Sequence, residues 1–269
     1  MKRTLCIALS ICAFLITACF TPGQRTAGSK NTAQTGTQKP GSVYQTNPNT
    51  QPGQAANTAG RADPDAKNWD IKKLDTAADA AYLAAIEKDV ILEMNKVRSD
   101  PAKYSDLYIK PRAQYYKGKT YAPPGQIALL TDEGASAVNE CANALRKSKS
   151  VGLLSPEKGL SLAAQAHAAD QGRTGQIGHT GSDRSTTDAR MKRYGSFSGS
   201  WTYGENIDYG SKTAREILAS LLIDDGVSDR GHRKNIMHKD FTQTGAGFGA
   251  HTRYGAMCTI TFARGYKSN

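Results

Sequence analysis

The chain has 269 residues, 38% of them hydrophobic, and a formal net charge of +11. Lys2 and Arg3, with five basic against two acidic residues between positions 19 and 68, account for +5 of that charge and leave +6 on the remainder. So moderate a balance suits an anionic envelope or an ordinary soluble surface and gives no ground for a nucleic-acid partner.

The first residues, Met1-Lys2-Arg3, precede an apolar run from Leu5 to Ile16 that is too short to span a bilayer. They read as an export signal over 1–18. Its ending, Leu15-Ile16-Thr17-Ala18-Cys19, resembles the lipobox of bacterial lipoproteins, which implies a lipid-modified Cys19 and a membrane as one partner. Residues 19–68 are rich in Thr, Gln, Gly, Pro, Asn and Ala, hold almost no large apolar side chain and read as a flexible, lipid-anchored tether. The globular part then begins near residue 69 and is long enough for one sizeable core.

Leu83, Ile86, Val90, Met94 and Val97 recur at three- and four-residue spacing, and Ser99-Asp100-Pro101 ends the pattern, which predicts a helix. Asn95 and Arg98 lie near its close. From Tyr104 to Pro124 the chain is tyrosine-rich and broken by Pro111, Gly118 and Pro123-Pro124, predicting one short helix and then loop. A second helix is expected after Thr131-Asp132-Glu133, with Val138, Cys141, Ala142 and Leu145 on one face. A third follows Ser155-Pro156, a helix-entry pair, and puts Leu160, Ala163, Ala164 and His167 on one stripe. A histidine there reads first as a satisfied core residue. Gly172 to Gly199 is polar and glycine-punctuated, with a helical turn around Asp188 to Tyr194. Trp201 to Tyr209 reads as a strand, Thr213 to Asp224 as a helix, and Gly245 to His251 with Ala256 to Ala263 as an antiparallel hairpin. Helices first and strands last, without a strand-helix-strand repeat, favour an α+β or layered α-β-α arrangement over a doubly wound sheet.

Four polar residues stand out inside short cleft-lining segments: His179 in Gly-His-Thr-Gly, Glu205 in Gly-Glu-Asn-Ile, Asp224 at a helix end and His232 in Gly-His-Arg-Lys-Asn-Ile. Two imidazoles facing two carboxylates could hold a divalent cation or pass protons. Equally, all four could be unrelated polar groups of core and surface. Of the five cysteines, only Cys141 and Cys258 belong to the globular part, which excludes a four-thiolate zinc. An exported compartment permits a disulfide between them, and their apolar faces suit buried free thiols as well. Asp229-Arg230-Gly231-His232 spells the string of a family of metal-dependent nonspecific nucleases. That family needs a metal-binding asparagine about thirty residues on, where this chain has the apolar Ile260-Thr261-Phe262.

Taken in order, the histidine before a small-residue turn, Gly204-Glu205-Asn206-Ile207, the acid ending a helix, Gly231-His232-Arg233-Lys234-Asn235-Ile236 and the final Cys258-x-Ile260-x-Phe262 strand resemble the CAP superfamily. This superfamily comprises the cysteine-rich secretory, antigen 5 and pathogenesis-related 1 proteins, or SCP domains. Asn95-x-x-Arg98 is similar to its first-helix signature. The resemblance implies a three-layer α-β-α sandwich with a central antiparallel sheet, a core at 153–269 preceded by N-terminal helices and an elaboration at 69–152, and a cavity tetrad at His179, Glu205, Asp224 and His232. Leu221 takes the family's aromatic place, Asp224 is a methylene shorter than the usual glutamate, and residues 101 to 152 exceed the usual spacing. The expected function is a bacterial, extracytoplasmic, lipid-anchored module of the cell envelope. It would bind a protein, lipid or envelope ligand, with His179 and His232 as ligands of a divalent cation such as zinc and no other cofactor. The alternative is a metal- or acid-assisted hydrolase, a peptidase or cell-wall hydrolase with Glu205 as general base. No nucleophile supports it, since Ser182 is only a sequence neighbour of His179.

Overall fold

The computed structural model describes residues 66–269; the segments expected as export signal and tether, with Cys19, lie outside the described residues except for the last three tether positions. The chain forms α1 (Ile71–Leu74), α2 (Ala85–Ser99) and α3 (Pro101–Tyr104). A π turn at Ser105–Ile109 and a 3-10 turn at Lys110–Tyr115 follow, and then three two-residue strands, β1 (Tyr116–Lys117), β2 (Thr120–Tyr121) and β3 (Leu129–Leu130). Next come α4 (Ala135–Lys147), β4 (Ser155–Pro156), α5 (Lys158–Thr174), α6 (Thr187–Lys192) and β5 (Gly195–Tyr209). The chain closes with α7 (Ala214–Ile223), α8 (Gly231–Ile236), β6 (Gln243–Gly249) and β7 (Met257–Ser268).

The apolar stripe of α2 is buried as its spacing requires, with Val90, Ile91, Met94 and Val97 fully inside. The helix stops because Asp100 turns out of helical geometry and its carboxylate caps α3, accepting from the Lys103 amide at 2.9 Å, with Pro101 at the first helical position. Ser155-Pro156 is not the helix entry that its composition suggests. It pairs in parallel with Gln243 and Thr244, and α5 starts two residues later. The segment expected as loop after Tyr115 forms the small antiparallel sheet β1-β2-β3.

The main sheet has the order β4-β6-β7-β5, antiparallel except for β4 against β6. Its strands alternate between two covered faces. Ala246, Cys258, Ile260 and Phe262 face the large core shared with α2, α4 and α7. Ala263 and Tyr266 face the other side with Leu160 and Ala163 of α5 and Met191 of α6. Helix α5 lies so close to β6 that a side-chain carbon on Gly245 or Gly247 would collide with the backbone of Leu160 to Gln165. The result is the expected α+β sandwich of helices on both faces of a sheet. Cys141 and Cys258 are free, buried thiols, both raised in pKa chiefly by burial.

Two side chains of α2 pin this arrangement. Asn95 donates to the carbonyls of Leu74 and Leu154 and to the Thr76 hydroxyl, and accepts from the Leu154 amide at 2.8 Å. Arg98, fully buried, donates to the carbonyls of Gly152, Ile236, His238 and Phe241 at 2.6 to 3.1 Å. Burial pushes its pKa down to about 10, so it stays charged at neutral pH. It closes the segments entering α5 and leaving α8 onto α2. Arg98→Ala orphans four buried or half-buried carbonyls and is expected to cost about 3 kcal/mol or more in urea unfolding. Arg98→Lys should recover only part, because an ammonium lacks the fork that reaches them. A wild-type midpoint for Arg98→Ala would contradict this role.

Candidate functional site: two acid–histidine pairs

Edge strand β5 supplies Glu205 to the face covered by α5 and α6, and Asn206 and Asp208 to the face covered by α7 and α8, because successive side chains point oppositely. Glu205 is almost completely buried and its carboxylate accepts from three side chains. These are His179 Nδ1 at 2.8 Å, Thr187 Oγ1 at 2.9 Å, and Arg190 Nη2 at 2.9 and 2.7 Å to its two oxygens. Burial works to raise its pKa, but the His179 hydrogen bond and the Arg190 charge outweigh it and hold the carboxyl below its ordinary value. Arg190 also donates to the His179 and Ser185 carbonyls, so it fixes the loop that bears the histidine.

The turn before His179 is fastened from below. Gly178, at φ +96°, donates its amide to the Tyr209 hydroxyl and accepts from His167 Nε2 at 3.0 Å and Gln171 Nε2 at 2.5 Å. His167 is therefore a buried support for the turn, with its pKa lowered first by burial. Ser182 is engaged elsewhere, donating its amide and hydroxyl to Asp170.

The second pair closes the α7–α8 corner. Asp224 sits just past α7 in the left-handed region, φ +57° and ψ +44°, a position that glycine more often fills. Its carboxylate accepts from the His232 amide at 3.0 Å and from His232 Nδ1 at 2.6 Å, two bonds that offset the backbone cost of about 1 kcal/mol. Aspartate thus reaches its histidine directly despite the missing methylene. Arg230, also left-handed at φ +54°, donates to the Asp224 and Val227 carbonyls and forks onto Glu133. Asp225, which turns away from the pair, accepts the amides of Asp132 and Glu133 ahead of α4.

The four residues expected to form one tetrad are thus joined as two pairs. The link between the pairs is amide: Asn206 Nδ2 donates to the His232 carbonyl at 3.0 Å, and Asn235 Nδ2 donates to Asn206 Oδ1 at 2.9 Å and contacts the Glu205 carbonyl at 3.4 Å. Arg190, Thr187, Asn206 and Asn235 are the site residues that the sequence reading passed over. Both asparagines stand inside quoted motifs, whereas nothing in Thr187-Asp188-Ala189-Arg190 signals a buried arginine.

Each Nδ1 donates to a carboxylate, a bond that orients the ring and leaves Nε2 as the nitrogen able to meet a ligand, Arg190 places a positive charge against Glu205, and among the described residues no group of three or more His, Cys, Asp or Glu side chains could hold a metal ion. The four residues are therefore held as two hydrogen-bonded acid–histidine pairs, one part-buried at His179 and one buried at His232.

Residues 140–262 match the model of the Cysteine-rich secretory protein family, CAP, a span that holds all four residues of the two pairs. The chain is 31% identical over 112 residues to the uncharacterized protein YkwD of Bacillus subtilis (strain 168), covering 41% of this chain and 40% of that protein. It therefore spans about two fifths of the length of the curated relative it matches. Among solved structures, an extracellular protein containing a SCP domain from Bacillus anthracis str. Ames is 22% identical, with 48% of this chain and 38% of that one covered and a TM-score of 0.34. An outer surface protein from Borrelia burgdorferi is 19% identical, with 49% and 89% covered and a TM-score of 0.36.

One more acid borders the second pair. Asp208 is buried opposite Cys258, and burial raises its pKa to about 6 against the pull of hydrogen bonds from Ser220 and Ser211 and the His232 charge. The folded chain holds this proton more tightly than the unfolded one, so Asp208's contribution to stability falls as pH rises from about 4 to about 6 and then levels off. Asp208→Asn removes that slope. Melting temperatures across this range should show the variant gaining on the wild type with rising pH; a constant difference would overturn the assignment.

Proposed function

We propose that the chain is a lipid-anchored, extracytoplasmic CAP-domain protein that works as a binding or interaction module rather than a hydrolase. Residues 1–18 serve as the lipoprotein signal, 19–68 as the tether from a lipidated Cys19, 69–152 as N-terminal helices with an added segment, and 153–269 as the CAP core. The N-terminal pattern ending at Cys19 supports the anchor, and the family match over 140–262 supports the domain.

The observation that carries the non-hydrolase reading is the state of Glu205. A general base needs a free lone pair, a pKa near the working pH and reach to a water. Glu205 spends both oxygens on His179, Thr187 and Arg190 and its pKa is lowered, so it serves as a buried counter-charge that orients the His179 loop. Its partner pair likewise spends Asp224 on His232. Such a scaffold holds loops in a fixed relation, which is what a recognition surface requires.

The full chain is expected to release nothing from casein or purified cell wall, with Glu205→Gln indistinguishable from it. Turnover by the wild type that Glu205→Gln abolishes would sink this reading and restore the hydrolase. For the anchor, growth with a clickable fatty acid should label the protein, and Cys19→Ser should lose the label. Equal labelling of the two would remove Cys19 as the attachment point.

A further inference from the structure

We propose that the small sheet at residues 116–130 is a second, non-covalent membrane contact, docking the domain on an anionic lipid surface. It lies outside the family match at 140–262 and takes no part in the two acid–histidine pairs.

Ile127 and Leu130 are 59% and 69% exposed, more than any other large hydrophobic side chain among the described residues. They belong to Tyr121-Ala122-Pro123-Pro124-Gly125-Gln126-Ile127-Ala128-Leu129-Leu130, ten residues without a charge. The loop is held at both ends. The Ala122 amide donates to the Tyr115 carbonyl, the Gln126 amide to that of Pro123, and the Thr131 amide and hydroxyl to that of Lys119. The apolar side chains are therefore presented by a braced element.

The exposed charges carried by this element itself are basic. From Leu107 to Thr131 the chain contains Lys110, Arg112, Lys117 and Lys119 and no acid. Glu216 neutralises Arg112, while Lys110, Lys117 and Lys119 are exposed and make no ion pair with a described residue. Of the acids that approach, Asp225 and Glu133 are occupied by backbone amides and by Arg230, and exposed Asp132 stands against the three exposed lysines, which leaves the balance basic. Half-buried Tyr115 and Tyr116 add the amphipathic rings that suit a lipid–water boundary.

These features favour a lipid leaflet over a protein. Two protruding aliphatic side chains fall far short of the roughly 800 Å² per partner that a stable protein interface buries. A bilayer surface needs only partial insertion of a few apolar groups, and each nearby lysine adds attraction to anionic headgroups. The proposal does not rest on the lipid anchor, because the contact is local to the sheet.

Hydrogen exchange of the full chain tests it, with vesicles of phosphatidylcholine alone and vesicles half phosphatidylglycerol. Backbone amides of 122–130 should exchange about tenfold more slowly with the anionic vesicles than with the neutral ones, and high salt should reverse the effect. The double variant Ile127→Ser/Leu130→Ser, which alters only exposed side chains, should lose that protection with exchange elsewhere unchanged. Unslowed exchange of 122–130, equal slowing in both vesicles, or protection that persists in the double variant each refutes the proposal. Loss of the covalent anchor reads separately, as failure of the whole chain to sediment with the neutral vesicles while it still sediments with the anionic ones.

Discussion

A guanidinium and a carboxylate removed from water together are tolerated only when each satisfies the other, and the pairing of Arg190 with Glu205 meets that condition with both groups almost completely buried. The consequences spread outward. With one arm on the carboxylate and the other on the His179 and Ser185 carbonyls, Arg190 ties the loop after α5 to edge strand β5. Thr187, one turn earlier on α6, adds its hydroxyl. Besides this pair and its partners, the histidine loop is tied to the strand by the Gly178 amide on the Tyr209 hydroxyl.

On the opposite face of the same strand the problem is solved with amides. Asn206 and Asn235 join the backbone of α8 to β5, and Asp224 uses a left-handed corner to grip both the amide and the ring of His232. Arg98 of α2 then holds the carbonyls that follow α8. Polar residues that a family resemblance groups as one cavity are thus, in this chain, largely the joints between three layers. That division commits both carboxylates and both Nδ1 atoms to the joints.

Much of this was legible beforehand, for identifiable reasons. Helix α2 and strand β7 announced themselves because their apolar residues repeat at the spacing of one face, and Asp224 and His232 because their motifs are compact. The small sheet was missed because strands of two residues are shorter than any alternation can reveal. Short α8 begins at a glycine after a left-handed Arg230, which gives no capping signal. Arg98, Lys96, Glu93 and Arg190 are buried, yet a charge in a sequence reads as surface until its partner from a distant segment is known. The division of the four residues into two pairs was hidden, because sequence motifs do not say which face of β5 a neighbour serves.

The most direct measurement is urea unfolding of Glu205→Gln at neutral pH. If Glu205 is the counter-charge of a buried arginine, its loss leaves Arg190 uncompensated and should lower stability by about 3 to 5 kcal/mol. An acid kept free for chemistry would instead be replaced at little cost, so an unchanged or raised stability would contradict the account.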